Sequence, residues 1–326
     1  MQFRRGGSGG ADIRQRAFWS FPLPKVQLKF DFVLLLALCF ACSIGSVEVD
    51  QVGGARALCH VEQILRFGPH PPGSEAQKKV GAYIEETLDS LGLEVRSHTF
   101  RPVTPKGRME MRNIWAVLKG KTANVILLAG HYDSKLFEKF RFVGANDGGS
   151  STGLLLELAR VLALHNPTKY SIWFAFFDGE EAIDRWTSAD SLYGSREFVK
   201  LLKRSGQLNT LSAMILLDMV GGSDLVLRRE SNSTDWLKDL IWNRAAEMGH
   251  GDVFQRAGRW IADDDHMPFL QEGIPAVDLI DMNYMTNGPW HSAEDTLDKL
   301  SARNLQIVGS VVLSSLPEIA RSLSRR

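Results

Sequence analysis

Three short, uninterrupted apolar runs set the tightest limits on how this chain can fold: Val-Ile-Leu-Leu-Ala at 125–129, Ile-Trp-Phe-Ala-Phe-Phe at 172–177 and Met-Ile-Leu-Leu at 214–217. Each is too short for a helix and offers no polar face, the pattern of strands covered on both sides. Stretches with helical spacing near 151–165, 190–203 and 234–248 separate or follow them. Strands alternating with helices predict an α/β fold: one domain with a central twisted, mostly parallel mixed sheet and helices on both sides. Residues 94–103 and 112–119 read as an antiparallel strand pair at a sheet edge. Upstream, Ser74 caps a helix that runs to about Leu91 and ends at Gly92, with Ala76, Val80, Tyr83, Ile84 and Leu88 on one buried face. Residues 274–280 read as a further buried strand and 302–323 as a closing amphipathic helix.

Polar residues follow the buried strands directly. His131 and Asp133 end the first, Asp178, Glu180 and Glu181 follow the second, and Asp218 follows the third. Ligands of open α/β sheets bind beyond the carboxyl ends of the strands, so these side chains are expected to meet in one crevice. With Asp147 and His291 they supply histidine and carboxylate at long, irregular spacings, as catalytic zinc sites do. Singly, each has an ordinary reading: a helix cap, a turn former before residue 151, a hydrogen-bonded histidine. Glu180-Glu181 is the sharpest local signal. Two adjacent acids behind a buried strand repel each other and are costly to desolvate unless a cation compensates. Neighbours in extended chain point to opposite sides, so one can hold a metal while the other faces the substrate.

The 326 residues carry 38 basic and 38 acidic side chains, which gives no electrostatic reason to expect nucleic acid as a partner. Arg4, Arg5, Arg14, Arg16, Lys25 and Lys29 precede an apolar run at 32–47. At about sixteen residues the run is short for a permanent span, so residues 1–50 read first as an export signal, with Ser43, Gly45 and Ser46 offering a cleavage site, and second as a membrane anchor. Residues 51–326 are then the catalytic domain, exported or anchored, touching membrane only through that segment. Cys39 and Cys42 fall in it, leaving Cys59 as the only cysteine of the body. That excludes an internal disulfide and a four-cysteine zinc site there, so any metal needs histidine and carboxylate.

Gly130-His131-Tyr132-Asp133-Ser134, Gly144-Ala145-Asn146-Asp147-Gly148, Phe177-Asp178-Gly179-Glu180-Glu181, Leu217-Asp218-Met219-Val220-Gly221, Asp265-His266-Met267-Pro268-Phe269 and Trp290-His291-Ser292 occur in an order that resembles the co-catalytic zinc aminopeptidases. In two-metal members, residues matching His131, Asp147 and Asp218 hold one zinc and those matching Asp147, Glu181 and His291 the other. Within that superfamily the chain is more similar to the animal-type glutaminyl cyclases. An insertion after the Glu-Glu pair carries Trp186 and Asp190-Ser191-Leu192-Tyr193-Gly194-Ser195-Arg196, Lys135 extends the histidine motif, and Asp264 precedes the Asp-His pair. The resemblance implies cyclisation of N-terminal glutamine, or glutamate, of peptides and proteins, with one zinc per chain on Asp147, Glu181 and His291. It implies Glu180 as the proton shuttle, Asp218 and Asp264 as its hydrogen-bonding partners, and Trp186 and Trp290 as pocket walls. His131, Asp133 and His266 remain open between a second metal and support of the first; His266 at a helix start reads equally well as structural. A monomer satisfies every one of these features. Gly130 stands where animal cyclases commonly carry a cysteine, and 282–289 differs from the loop that gives them an aromatic wall. The competing readings are a two-zinc aminopeptidase and a non-enzymatic ectodomain that kept the fold.

Overall fold

The computed structural model describes residues 52–164 and 169–325, all within a single compact unit. The proposed export or anchor segment, residues 1–50, lies outside them. Among the described residues no helix is long and apolar enough to cross a membrane.

The three apolar runs become the middle of a six-stranded sheet. In chain order its strands are β1 (Glu94–Phe100), β4 (Met111–Leu118), β5 (Val125–His131), β6 (Ser171–Phe177), β7 (Leu211–Asp218) and β10 (Ala276–Ile280). Across the sheet they run β1-β4-β6-β5-β7-β10. β5 pairs in parallel with β6 and β7, and β7 in parallel with β10, while β4 pairs antiparallel with β6 and β1. β5, β6 and β10 are buried along their whole length, which is why their sequences show no alternation. Four strands therefore end on the same edge. Because the chain leaves β5 to lay β6 on one side and β7 on the other, a crevice opens at that reversal of direction.

Helices cover both faces. α1 (Gly54–Arg66), which the sequence reading did not anticipate, and α3 (Gly149–Leu164) pack with α8 (Ala302–Leu323) on one side of the sheet. α2 (Glu75–Ser90) starts at Ser74, whose hydroxyl accepts the Gln77 N–H, and ends before Gly92 in the left-handed region, as its sequence predicts. Two expected segments are shorter than the pattern implied. The first strand stops at Phe100, and residues 103–108 turn back as a small hairpin of β2 (Val103–Thr104) and β3 (Gly107–Arg108). α4 (Tyr193–Arg204) begins three residues after Asp190, because that carboxylate is occupied in the loop before it. A second parallel pair, β8 (Leu227–Glu230) and β9 (Phe254–Trp260), brackets α5 (Asp235–Glu247) and leads into the crevice. Short helices α6 (Met267–Gln271) and α7 (Met282–Asn287) flank β10.

Gly130 shows how closely the sheet and α3 approach. A Cβ there would lie 2.9 Å from Ser151 Cβ and 3.0 Å from the Leu217 carbonyl oxygen. The helix that follows the Asp147 turn rests on bare backbone, and a cysteine at this position does not fit without movement.

Candidate active site

Each polar residue singled out from the sequence arrives by a distinct backbone device. His131 is the last residue of β5 and Asp218 the last of β7. Asp147 sits in a turn before α3, bounded by Gly144 at φ 61° and Gly148 at φ 80°. At Gly148 a Cβ would come within 2.8 Å of the Asp133 carbonyl oxygen, so glycine is required on space as well as on φ. Gly179, at φ 76°, turns the chain out of β6 into Glu180-Glu181. Asp133 fixes that pair from below, its two carboxylate oxygens accepting the N–H groups of Glu180 and Glu181 at 3.1 and 3.2 Å. His291 has φ 51°, an uncommon conformation for a non-glycine residue and one that clusters at functional sites.

Two groups of side chains converge closely enough to hold a metal ion: His131, Asp147 and Asp218, and Asp147, Glu181 and His291. His291 Nε2 lies 2.8 Å from Glu181 Oε1 and 3.3 Å from Asp147 Oδ2, while His131 Nε2 lies 3.2 Å from Asp147 Oδ1 and 3.4 Å from Asp218 Oδ1. Asp147 Oδ2 is buried and has no hydrogen-bond partner. A buried carboxylate oxygen without a donor, facing a histidine and a second carboxylate, is what a divalent cation satisfies, so this donor set fits zinc.

The electrostatics follow from crowding. Burial and the nearby charges of Glu181, Asp264 and Asp265 hold the Glu180 carboxyl well above its usual range, against the opposing effect of His131. Burial, with Asp218 beside it, pushes Asp264 up to about 7. Burial opposes charge on His291, but Asp147 and Glu181 outweigh it and raise the imidazole to about 9. Glu180 thus has the crowded, buried environment that raises a carboxyl's affinity for a proton, as acid–base groups in clefts commonly have.

Above the Asp147–Glu181–His291 group opens a cavity of about 390 Å³, lined by Glu180, Asp218, Asp264, Trp186 and Trp290 as well as by the three ligand candidates. Trp290 stacks on the His291 ring, 3.6 Å between centroids and 16° from parallel. Trp186, 42% exposed at the mouth, donates from Nε1 to Asp263 Oδ2 at 3.3 Å. The insertion carrying Trp186 is a built loop: the Asp190 carboxylate accepts the N–H groups of Ile183, Asp184 and Arg185 at 2.9, 2.9 and 3.0 Å. His131, Asp133 and His266 do not line the cavity. His266 is buried behind its wall, with Nε2 3.3 Å from Glu230 Oε2 and Nδ1 3.8 Å from Asp278 Oδ2.

Several contributors carried no role in the sequence reading. Lys135 donates to the Ala182 carbonyl at 2.8 Å and lies 3.3 Å from Glu181 Oε2; its place in the motif marked it, without showing what it holds. Phe137 and Phe142 set their rings against His291, at 5.4 and 5.7 Å between centroids. Met282 and Met285 of α7 wall the cavity in the segment whose sequence departs from the cyclase loop. The aromatic-rich stretch 137–142 was the one available signal for the histidine cage.

Comparison with known proteins agrees with this geometry. The sequence profile of peptidase family M28 matches residues 113–316. A glutaminyl-peptide cyclotransferase of Drosophila melanogaster is 30% identical over 267 residues, covering 74% of this chain and 75% of its own. The crystal structure of an Acidobacteriales bacterium glutaminyl cyclase superposes with a TM-score of 0.80 at 37% identity, over 86% of this chain and 99% of that one. A Zn-dependent exopeptidase from Parabacteroides distasonis superposes at 0.75 with 26% identity, over 82% and 99%. By profile, sequence and structure together, the chain belongs to peptidase family M28, in its glutaminyl-peptide cyclotransferase branch.

Proposed function

We propose that the protein converts the N-terminal glutamine of peptides and proteins to pyroglutamate with release of ammonia, using one zinc held by Asp147, Glu181 and His291. The observation that carries this reading is the placement of Glu180: it opens to the cavity beside a three-ligand group, belongs to neither metal-compatible group, and shares that cavity with Trp186 and Trp290. In the reaction the substrate's α-amine attacks its own γ-carboxamide carbon, a C–N bond forms, and the original C–N bond breaks as ammonia leaves. The nucleophile is tethered, so the site needs mainly to select the folded-back conformer. Trp186, Trp290, Met282 and Met285 supply flat and apolar walls for that selection. Zinc, when bound, supplies a Lewis acid for the γ-carbonyl oxygen. Glu180 takes the proton from the attacking amine and returns it to the departing nitrogen, so the protein ends each cycle in its starting protonation state. Asp218 and Asp264, both lining the cavity, accept hydrogen bonds that steady the moving proton and the leaving amide.

A single zinc is favoured because Asp147, Glu181 and His291 all open to the cavity, whereas His131 does not. His131 and Asp133 then act as supports of Asp147 and of the Glu180-Glu181 backbone. Residues 1–50 direct export or anchoring, and the protein acts as a monomer. The deciding experiment measures metal content and products on the purified protein with a glutamine-initiated peptide. About one zinc per chain, ammonia and a cyclised peptide of unchanged length support the proposal. Two zincs with free glutamine released would make the protein a co-catalytic aminopeptidase, with His131 and Asp218 as ligands.

A further inference from the structure

Asp295 lies four residues beyond His291, is 1% exposed, and spends its whole carboxylate on other parts of the site. Oδ1 accepts the Asn146 N–H at 2.8 Å and the Tyr284 hydroxyl at 2.7 Å, and Oδ2 accepts the Asp147 N–H at 3.2 Å. Its carbonyl accepts the Ala145 N–H at 3.4 Å, and its own N–H donates to the Ser292 carbonyl at 3.3 Å. One residue therefore joins three segments: the turn that presents Asp147, the turn that presents His291, and α7, whose Met282 and Met285 wall the cavity. Both turns rest on left-handed backbone. The first has a positive-φ glycine on each side of Asp147, and the second carries His291 itself at positive φ.

We propose that Asp295 is a positioning residue that sets the separation of Asp147 and His291, and with it zinc affinity, and that Tyr284 extends this control to the cavity wall. The inference rests on the zinc site proposed above. Groups that orient metal ligands without touching the metal typically change its affinity by about 10–100-fold when altered. Here the control acts through the backbone of one ligand and the turn of another, so a change in shape or charge at Asp295 moves two ligands at once. Asp295→Asn keeps the shape but turns an amide N–H₂ toward one of two backbone donors, so one of the three hydrogen bonds must be replaced by a donor–donor clash.

Zinc affinity by chelator competition, and melting of zinc-free and zinc-loaded protein, test the proposal directly. Asp295→Asn is expected to weaken zinc binding by about 10–100-fold and to shrink the rise in Tm that zinc produces. Tyr284→Phe leaves both backbone contacts in place. It is expected to weaken zinc by less than about 10-fold while raising KM for a glutamine-initiated peptide more than it lowers kcat. A purely structural Asp295 would lower both melting temperatures equally and leave zinc affinity unchanged, which overturns the proposal. Should Asp295→Asn not fold, Tyr284→Phe decides alone: unchanged zinc affinity together with unchanged KM overturns it. Failure of the unaltered protein to bind zinc would instead overturn the proposed function.

Discussion

Replacing Glu180 with glutamine removes a charge and a proton acceptor while keeping the volume of the side chain. The backbone of residue 180 stays tied to Asp133 Oδ1, so the replacement side chain starts from the same place. Glu180 belongs to neither metal-compatible group, and zinc content is therefore expected to stay the same. Burial and the charges of Glu181, Asp264 and Asp265 already favour its neutral form, against the opposing effect of His131, so a neutral amide of the same size suits the space. The zinc-free protein should melt no lower than the unaltered one. What is lost is proton transfer in the transition state. General acid–base catalysis is typically worth about 10²–10⁴-fold, or about 3–5 kcal/mol of barrier. The fall is expected in kcat, with KM little changed, because walls that recognise the substrate remain. Ammonia release followed against an enzyme-free control, with mass analysis of the peptide, reads this directly; the spontaneous cyclisation sets the floor. Turnover within about threefold of normal would refute the assignment of Glu180 as proton shuttle. Loss of zinc in this variant would refute it differently, by making Glu180 a ligand.

Trp186→Ala removes an exposed wall that belongs to neither metal-compatible group, and is expected to raise KM by about 3–10-fold with unchanged zinc content, the worth of one aromatic contact; loss of metal would make the tryptophan structural. Gly130→Cys introduces a Cβ 2.9 Å from Ser151 Cβ and is expected to destabilise by about 1–3 kcal/mol in urea unfolding. An unchanged midpoint would mean that α3 moves freely on the sheet. Asp281 caps α7 and burial pushes its carboxyl up to about 6 from an ordinary 3.8. A carboxyl that holds its proton more tightly when folded loses stability as pH rises from the unfolded value through the folded one, at most about 3 kcal/mol here. Asparagine caps as well as aspartate, so Asp281→Asn should be neutral near about pH 4 and stabilising by about 1–3 kcal/mol near about pH 8. A pH-independent difference would refute the linkage.

The elements that were legible in the sequence are those whose signal is local. Residues 302–323 show a helical apolar face bounded by Ser301, and the helix occupies Ala302–Leu323. β5 and β6 announce themselves as runs without polar interruption because both faces are covered. β8 and β9 do not: Leu-Arg-Arg-Glu and Phe-Gln-Arg-Ala-Gly-Arg-Trp have no alternation, since most of β9 faces solvent and the pairing is between distant segments. α1 has a buried face in Ala57, Val61 and Ile64, but its N-cap is Gly53, with no side-chain cap, so no local signal marks where it begins. The site divides along the same line. Histidine and carboxylate at strand ends have chemistry that their identity declares. Asp295 and Asp190 act on backbone N–H groups, and Asp295 is 148 residues from the Asp147 N–H it accepts. Nothing about an aspartate's own neighbourhood in sequence reveals which distant backbone it will hold.

The distribution of buried charge connects the fold to the chemistry. Asp133, Asp147, Glu180, Glu181, Asp218, Asp264 and Asp265 are all at most 7% exposed, and the basic side chains near them include His131, His266, His291, Lys135 and Arg196. Asp133 and Lys135 take part in fixed hydrogen bonds that set the Glu180-Glu181 turn. The remaining carboxylates outnumber the basic groups beside them, and burial and mutual repulsion raise Glu180, Asp218 and Asp264 together. A divalent cation at Asp147, Glu181 and His291 would offset much of that excess, and folding and metal binding would then reinforce each other. It would also sort the acids by role. Those that reach the cation would be held ionised, while Glu180, adjacent in sequence but outside the ligand group, keeps its raised affinity for a proton. The Glu-Glu pair behind β6 parts because one turn, pinned by Asp133, sends the Glu181 carboxylate to the metal-compatible group and leaves that of Glu180 lining the cavity.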